Sequence, residues 1–585
     1  MDSTDPAFVA DAAVDKRAMR ARASSNSSRA GEYNAVAARG GVDPDLLDEE
    51  REQQPLLNNK RDGPGEDGDA SDIDEFQGLP WYKRPSIYWV LVPFSILAIS
   101  YGGIITPRVN LIINLLCREY LEEQEHTIPG FMAAPVIYDG ANPQCQVAEV
   151  ERRSARFTLY GNLIAGLLSA VTAPKLGALS DRFGRCKMIA ITSLGSLSGD
   201  IFTIMAARNP DTFSVNWILV GFALDGICGS FTTAFAIVHA YATDCTLPAF
   251  RSVAFAMFHG CLFTGIAAGP FLAGLLTKAT GTPLTMFYVM LGVHIFFLLF
   301  MGFIAPESLS KARQQRAREK HKLAVTHHSS DWIDTFRKVN LLEPLKILWP
   351  TGPGSSRDLR RNLILLASVD TLMFGIAMGS MTVILIYVRF QFGWQTYDSG
   401  IFMSVVNTAR VLCLFVILPI ITRLVRGKPN SGSTNSKTHH GADHFDLAVI
   451  RTAVFFDTLG YLGYTLARQG SVMIASGVVA ALGGMGSPTL QSALTKHVPP
   501  ERTGQLLGAL GLLHALARVV APTIFQTIFI ATVETFRQTV FVCLTATFGV
   551  AFICAWFVKP NVKVDDEPKV AEEDDETAPL AREQH

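Results

Sequence analysis

An apolar run of about 20 residues is what a helix needs to cross the hydrocarbon core of a bilayer, and this chain contains twelve in succession. They lie at about 86–107, 157–179, 188–207, 215–239, 252–277 and 284–304 in the first half, and at about 362–388, 399–422, 447–468, 472–495, 504–530 and 538–558 in the second. One such run can be the core helix of a soluble protein, but twelve require lipid as solvent. In lipid each helix must satisfy its own backbone hydrogen bonds, so the predicted fold class is an all-α membrane protein of twelve transmembrane helices. Of 585 residues 49% are apolar and only 18% charged. The charge collects in residues 1–84, in a central stretch near 306–361 and in the last 27 residues.

That distribution excludes several functions. Basic residues occur only in short loops, so no nucleic-acid surface is expected. No Gly-x4-Gly-Lys-Ser/Thr loop is present, which removes ATP-driven transport. No cluster of histidines or acids gathers at a membrane face, so neither an enzyme nor a metal site nor a cofactor is expected. Seven of the nine cysteines lie in or beside apolar runs as small hydrophobes. Cys117 and Cys145 differ: both fall between the first two runs, where the topology below allows a disulfide.

Lysine and arginine in short loops set the orientation. Lys175, Arg182, Arg185 and Lys187 follow the second span, twelve basic residues run from Lys311 to Arg361, and Arg423, Arg426, Lys428 and Lys437 follow the eighth. Odd-numbered loops carry one each, apart from 108–156, where five arginines meet seven acids. The even loops and both termini are therefore expected in the cytosol. Expected divisions are a disordered tail at 1–84, a six-helix bundle at 85–305, a linker at 306–360, a second bundle at 361–558 and a disordered acidic tail at 559–585. Within the linker, Trp332, Ile333, Phe336, Leu341, Leu345, Leu348 and Trp349 alternate with charges, the pattern of a helix lying at the membrane surface.

The halves are related. "GSFTTAFAIVHAYATDCTLPAFRSVAF", from Gly229, parallels "GSPTLQSALTKHVPPERTGQLLG", from Gly486, and places Arg251 against Arg502 and Pro270 against Pro522. A duplicated six-helix unit follows.

The stretch "GALSDRFGRCK" between spans two and three resembles the loop signature of the major facilitator superfamily, with Gly177, Asp181, Arg182, Gly184 and Arg185 in register and Lys187 one place beyond Cys186. The resemblance extends over about 86–558 and implies two pseudo-symmetric six-helix bundles. It also implies that Asp181 receives the N-terminus of helix eleven near Arg502 to Gly504. Arg182, Arg185 and Lys187 would then meet cytoplasmic carboxylates or lipid phosphates. "GIAAGPFLAG" in span five, with Gly265, Gly269, Pro270 and Gly274, resembles the motif of the superfamily's drug antiporters, where small residues admit close helix contact. The intramembrane arginine of many proton-coupled members is absent; Phe222 stands in its place, four residues before Gly226.

Charges inside spans are costly and call for a function or a partner. By family architecture, Asp225, Asp370, Arg410 and Arg518 are expected to face a central cavity, and Asp200 and Asp457 to make structural pairs on peripheral helices. Arg108 fits either the cavity mouth or the interface. His259 and His514 are the histidines to test for protons, with packing as the competing role. In detail, "PRVNLIINLLCREY" and "NPQC" resemble a fungal branch near the tetracycline-resistance-type antiporters and the proton-coupled folate transporter group. Proton-coupled efflux of a small organic molecule is the expected function. Uptake of an organic anion with protons, and a non-transporting sensor, stay open as alternatives. Glu52, Leu56 and Leu57 form an acidic dileucine pattern for adaptor complexes, so vacuolar and plasma membranes are both open. A monomer in contact with lipid is expected.

Overall fold

The computed structural model describes residues 79–128, 136, 143–145, 147–326, 343–351, 356–394, 396–427, 441–532 and 535–562. Glu52, Leu56 and Leu57, the linker residues Trp332 to Leu341 and most of the acidic C-terminal stretch lie outside them. All regular elements among the described residues are helical. The first half comprises α1 (Ile87–Thr127), α2 (Ala148–Phe183), α3 (Arg185–Arg208), α4 (Trp217–Ile227), α5 (Ser230–Cys245), α6 (Arg251–Thr280) and α7 (Leu284–Leu299). After α8 (Lys311–Thr326) come α9 (Arg357–Phe392), α10 (Thr396–Leu412), α11 (Leu418–Arg426), α12 (His444–Leu466), α13 (Gly470–Leu482), α14 (Gly486–Thr495), α15 (Thr503–Thr532) and α16 (Thr539–Trp556).

Eleven helices among the described residues are long and apolar enough to cross a membrane. The ninth predicted span is α12, whose 23 residues reach about 34 Å at 1.5 Å per residue. Its run is diluted by Asp446, Arg451 and Asp457. Large apolar side chains also cover the outside: Phe303, Leu424, Ile530 and Phe271 are 68–83% exposed. A surface of that kind is stable only against lipid tails.

Two spans are broken in equivalent places. The fourth divides into α4 and α5 at Gly229, whose φ of 95° is in the left-handed region, and Ser230 follows at 58°. The tenth divides into α13 and α14 through the turn Gly483–Met485. A break inside hydrocarbon exposes carbonyls that must find donors. Thr172 Oγ1 donates to the Gly226 carbonyl at 2.9 Å, and Ser169 Oγ to that of Gly229 at 2.6 Å. The eighth span instead stays continuous through a π-turn at Cys413–Ile417 between α10 and α11.

The first span is longer than expected. α1 continues through Pro107 for another twenty residues, so its 41 residues reach about 62 Å, twice the hydrocarbon thickness. On the projecting end, Cys117 is joined to Cys145 in the turn Pro143–Cys145. Arg118 pairs with Glu122 and Asp211, and Arg153 with Glu123. The crowded arginines and acids of 108–156 thus largely neutralise one another.

Glycine positions decide how closely helices approach. A Cβ on Gly265 would lie 2.1 Å from the Ala98 carbonyl oxygen, and one on Gly269 2.4 Å from the Gly103 nitrogen, so α6 lies directly on the backbone of α1. Gly274 has open space within 4 Å, and Ala273 is the buried residue of that turn. The close-contact role expected of Gly274 is therefore corrected, and Pro270 is exposed.

In the second half, His497 lies beyond the end of α14, 1% exposed. Its Nδ1 faces the Ala493 carbonyl at 2.7 Å and its Nε2 the Asn362 amide at 3.3 Å. Nδ1 therefore donates, Nε2 accepts, and the ring is neutral. Burial lowers its pKa to about 4.

Two outcomes are expected. Gly265→Ala forces backbone apart and should cost about 1–3 kcal/mol, lowering the melting temperature by several degrees, whereas Gly274→Ala should leave it unchanged; thermal melting in detergent checks both. For His497, the unfolded chain takes a proton below about pH 6.5 while the folded ring refuses it until about pH 4. Stability present above pH 6.5 should decline as pH falls through that window, and denaturation of His497→Gln should lack that part of the decline.

Candidate functional site

The loop "GALSDRFGRCK" becomes a buried electrostatic joint. α2 ends at Phe183, Gly184 turns the chain with φ of 103°, and α3 begins at Arg185. Asp181 Oδ1 accepts the Gly504 N–H at 3.2 Å and Oδ2 that of Gln505 at 3.0 Å, so its carboxylate caps α15 in the other half. Gly177 supports the approach, because a Cβ there would lie 2.5 Å from the Gly504 carbonyl oxygen. Hydrogen bonds to a charged acceptor contribute roughly 1.5–3 kcal/mol each.

Arg185 is completely buried. Its NH1 lies 2.6 Å from Asp181 and its Nε donates to Asp244 at the end of α5 at 3.0 Å. Of the two kinds of partner expected for Arg185 the structure gives carboxylates and not lipid: it is the buried counter-ion of two acids on the loop's own face, since a buried guanidinium is tolerable only when paired. Lys187 is exposed and Arg182 half-buried. The Arg182 carbonyl accepts from Arg318 of α8, whose guanidinium also covers the Phe183 ring.

Two acids were missed by the sequence reading. Asp244 closes the ion network, with Ser308 donating to it at 3.0 Å. Glu307 accepts the backbone N–H of Arg185 at 2.7 Å and of Cys186 at 3.1 Å, capping α3. Burial raises the Glu307 pKa. A Cβ on Gly184 would lie 2.4 Å from the Glu307 carboxylate, so this cap requires glycine twice over. Their signal was topological: both acids follow spans that end on the face bearing the basic loop.

A cavity opens among α1, α3, α4, α5 and α7, with about 1130 Å³ of empty space including its mouth. Its walls include Phe94, Tyr101, Phe222, Phe231 and Phe297. Inside, Asp200 accepts from Arg108 at 2.9 Å on Oδ1 and meets His294 Nδ1 at 2.6 Å on Oδ2. Asp200 was expected on a peripheral helix; it does make a salt bridge, but within the cavity lining. His294 is the histidine there, not His259 or His514. Asp225 also lines the cavity and accepts from Ser196 at 2.7 Å. Arg518 reaches in from α15 and lies 3.5 Å from Ser230.

The other candidates lie outside this cavity's lining. Asp370 is fully buried and is absent from this cavity's lining, correcting its expected place. It accepts from Ser487 at 3.1 Å and pairs with His514 Nε2 at 2.9 Å, while Phe374 stacks on the His514 ring. His259 stacks on His239 at 5.2 Å, and its Nδ1 faces the Phe255 carbonyl. Arg410 does not line the cavity either; it lies over the Phe263 ring at 4.8 Å and faces Asp457 electrostatically. Among the described residues, no group of three or more metal-binding side chains occurs.

This geometry, two helical halves closed on each other by Asp181 beside a cavity with internal charges, agrees with what the chain is similar to. The MFS-type transporter avaJ of Aspergillus versicolor is 28% identical over 527 residues, which cover 89% of this chain and 96% of that one. The class C tetracycline resistance protein of Escherichia coli is 27% identical over 386 residues, 65% of this chain and 82% of its own length. The crystal structure of the human organic anion transporter MFSD10 (TETRAN) shares the fold with a TM-score of 0.58 at 17% identity, covering 82% of this chain and all of that one. Residues 155–522 match the Major Facilitator Superfamily, and the chain belongs to it: an integral, multi-pass membrane transporter of small molecules.

Proposed function

We propose that the protein is a proton-coupled antiporter that exports a small organic molecule by alternating access, with both termini in the cytosol of a plasma or vacuolar membrane. The observation that carries this reading is the Arg108–Asp200–His294 triad inside the cavity. The imidazole and the carboxylate share a hydrogen bond, a contact across which a proton can pass. A solute entering beside it alters the field that holds that proton, so the two occupancies are linked. Asp181 and its partners support the alternating step, because a carboxylate on the N-terminus of α15 favours one closed state and must release it for access from that face. Relatives named for tetracycline resistance favour export over uptake.

Reconstitution in liposomes with a trapped pH-sensitive dye tests coupling. Under an imposed pH gradient, members of a panel of organic anions and cationic drugs should evoke proton flux, and His294→Gln or Asp200→Asn should abolish it. Absence of gradient-dependent flux for every compound would overturn the reading. For the latch, Asp181→Asn should cost about 1.5 kcal/mol of the closed state, moving its population roughly tenfold. Spin-label distances between α2 and α15 at that face measure the shift, and an unchanged distribution would remove Asp181 from gating.

A further inference from the structure

The cavity lining holds two positive and two negative side chains, but they are unequally satisfied. Arg108 and Asp200 neutralise each other at 2.9 Å, and His294 occupies the second Asp200 oxygen. Arg518 has no carboxylate within 4 Å among the described residues; its contact is the Ser230 hydroxyl at 3.5 Å, the outer limit of a hydrogen bond. Asp225, the remaining acid, is engaged by Ser196. A guanidinium facing a largely apolar chamber without a counter-ion is an incomplete pair.

The break of the fourth span lies at the same point. Ser230 is the first residue of the sixteen-residue α5, and no side chain caps this N-terminus. Its first-turn N–H groups add positive potential where Arg518 enters. Ser230, Phe231 and Ala234 of α5 all line the cavity. Beside them, Tyr101 stacks on Phe231 with centroids 5.7 Å apart, and Phe94 and Phe222 extend the aromatic wall.

The geometry points to an aromatic organic anion as the ligand, its acidic group held between Arg518 and the N-terminus of α5 and its rings against Phe94, Tyr101, Phe222 and Phe231. Arg518 forks toward a carboxylate more favourably than a point charge does. Asp225, five residues before Ser230 on the same span and engaged by Ser196, lines the same chamber and disfavours a second anionic group. Arg518 is also the residue of the second half that lines this chamber among those described. An anion bound there joins α5 to α15, so cargo occupancy acts on the contact between halves. This assignment rests on the transporter reading for the cargo's passage, while the binding site itself is separately measurable.

Titration of the full chain in lipid nanodiscs with 9-anthracenecarboxylate and its uncharged carboxamide, corrected with empty discs, tests the assignment. The carboxylate should bind about tenfold more tightly than the amide, as expected for one charge-assisted pair. Arg518→Gln should erase that preference with amide affinity unchanged, and Arg410→Gln should retain it. Should Arg518→Gln also lose the amide, Arg518→Lys decides: a retained preference supports the site and a lost one overturns it. Equal binding of the two probes, a preference that survives Arg518→Gln, or no carboxylate binding to the unaltered protein would each overturn the anion site. Carboxylate binding without gradient-driven flux retains the site and removes the transport reading. Flux without a carboxylate preference does the reverse.

Discussion

The structure depends on one buried positive charge. Arg185 has no exposure to solvent, and a guanidinium so placed must be surrounded by partners or the helices carrying it would separate. Asp181 and Asp244 supply those partners from α2 and α5. The same Asp181 carboxylate caps α15, and Glu307 caps the helix that Arg185 begins. Five spans are therefore registered to one another through a single side chain and its neighbours. Because Asp181 holds both Arg185 and the N-terminus of α15, a contact within one half and a contact between halves share the same atoms. A change at either is felt by the other.

Away from that joint, lipid imposes a different discipline. Helices gain little from hydrophobic attraction in a hydrophobic solvent, so they meet through close backbone approach and buried polar pairs. Gly265 and Gly269 bring α6 onto α1, and Ser169 and Thr172 supply the donors that the broken fourth span requires. The break in turn brings the start of a helix to mid-span, where Arg518 of the other half meets it. The repeat relation makes this sharper. Ser230 and Ser487 occupy equivalent places after Gly229 and Gly486; one faces Arg518 and the other donates to Asp370. Duplicated positions have thus been given opposite electrostatic duties.

Much of this was legible from residues alone because it is local or periodic. Apolar runs reveal spans, basic loops reveal parity, and Asp181, Gly184 and Arg185 stand within five positions of one another. The cavity was less legible. Arg108 was open to the cavity mouth or the interface and Asp200 to a structural pair, but nothing local joined them to each other or to His294, since the three lie on different spans. A depth argument would have found them: Asp200 lies eight residues from one end of α3 and His294 ten from the facing end of α7, about 12 and 15 Å from the same surface. Asp370 and Arg410 were assigned to the cavity from their helices, yet Asp370 turns to Ser487 and His514 within its own half and Arg410 to Phe263 of the other, because rotation about a helix axis is set by packing.

The amino-acid sequence by itself determined that this chain is an all-helical, multi-pass membrane protein, since lipid accepts only self-satisfied backbone and the hydropathy pattern records it. It also determined which loop would carry the buried ion joint, through residues whose spacing is short enough to act before any tertiary contact exists. Only the tertiary structure decided which charges meet. Asp244, Glu307, His294 and Arg518 find their partners across 59 to 288 positions of chain. Such pairings follow from how helices rotate and close on one another, and each rotation is chosen by the burial of all its neighbours at once.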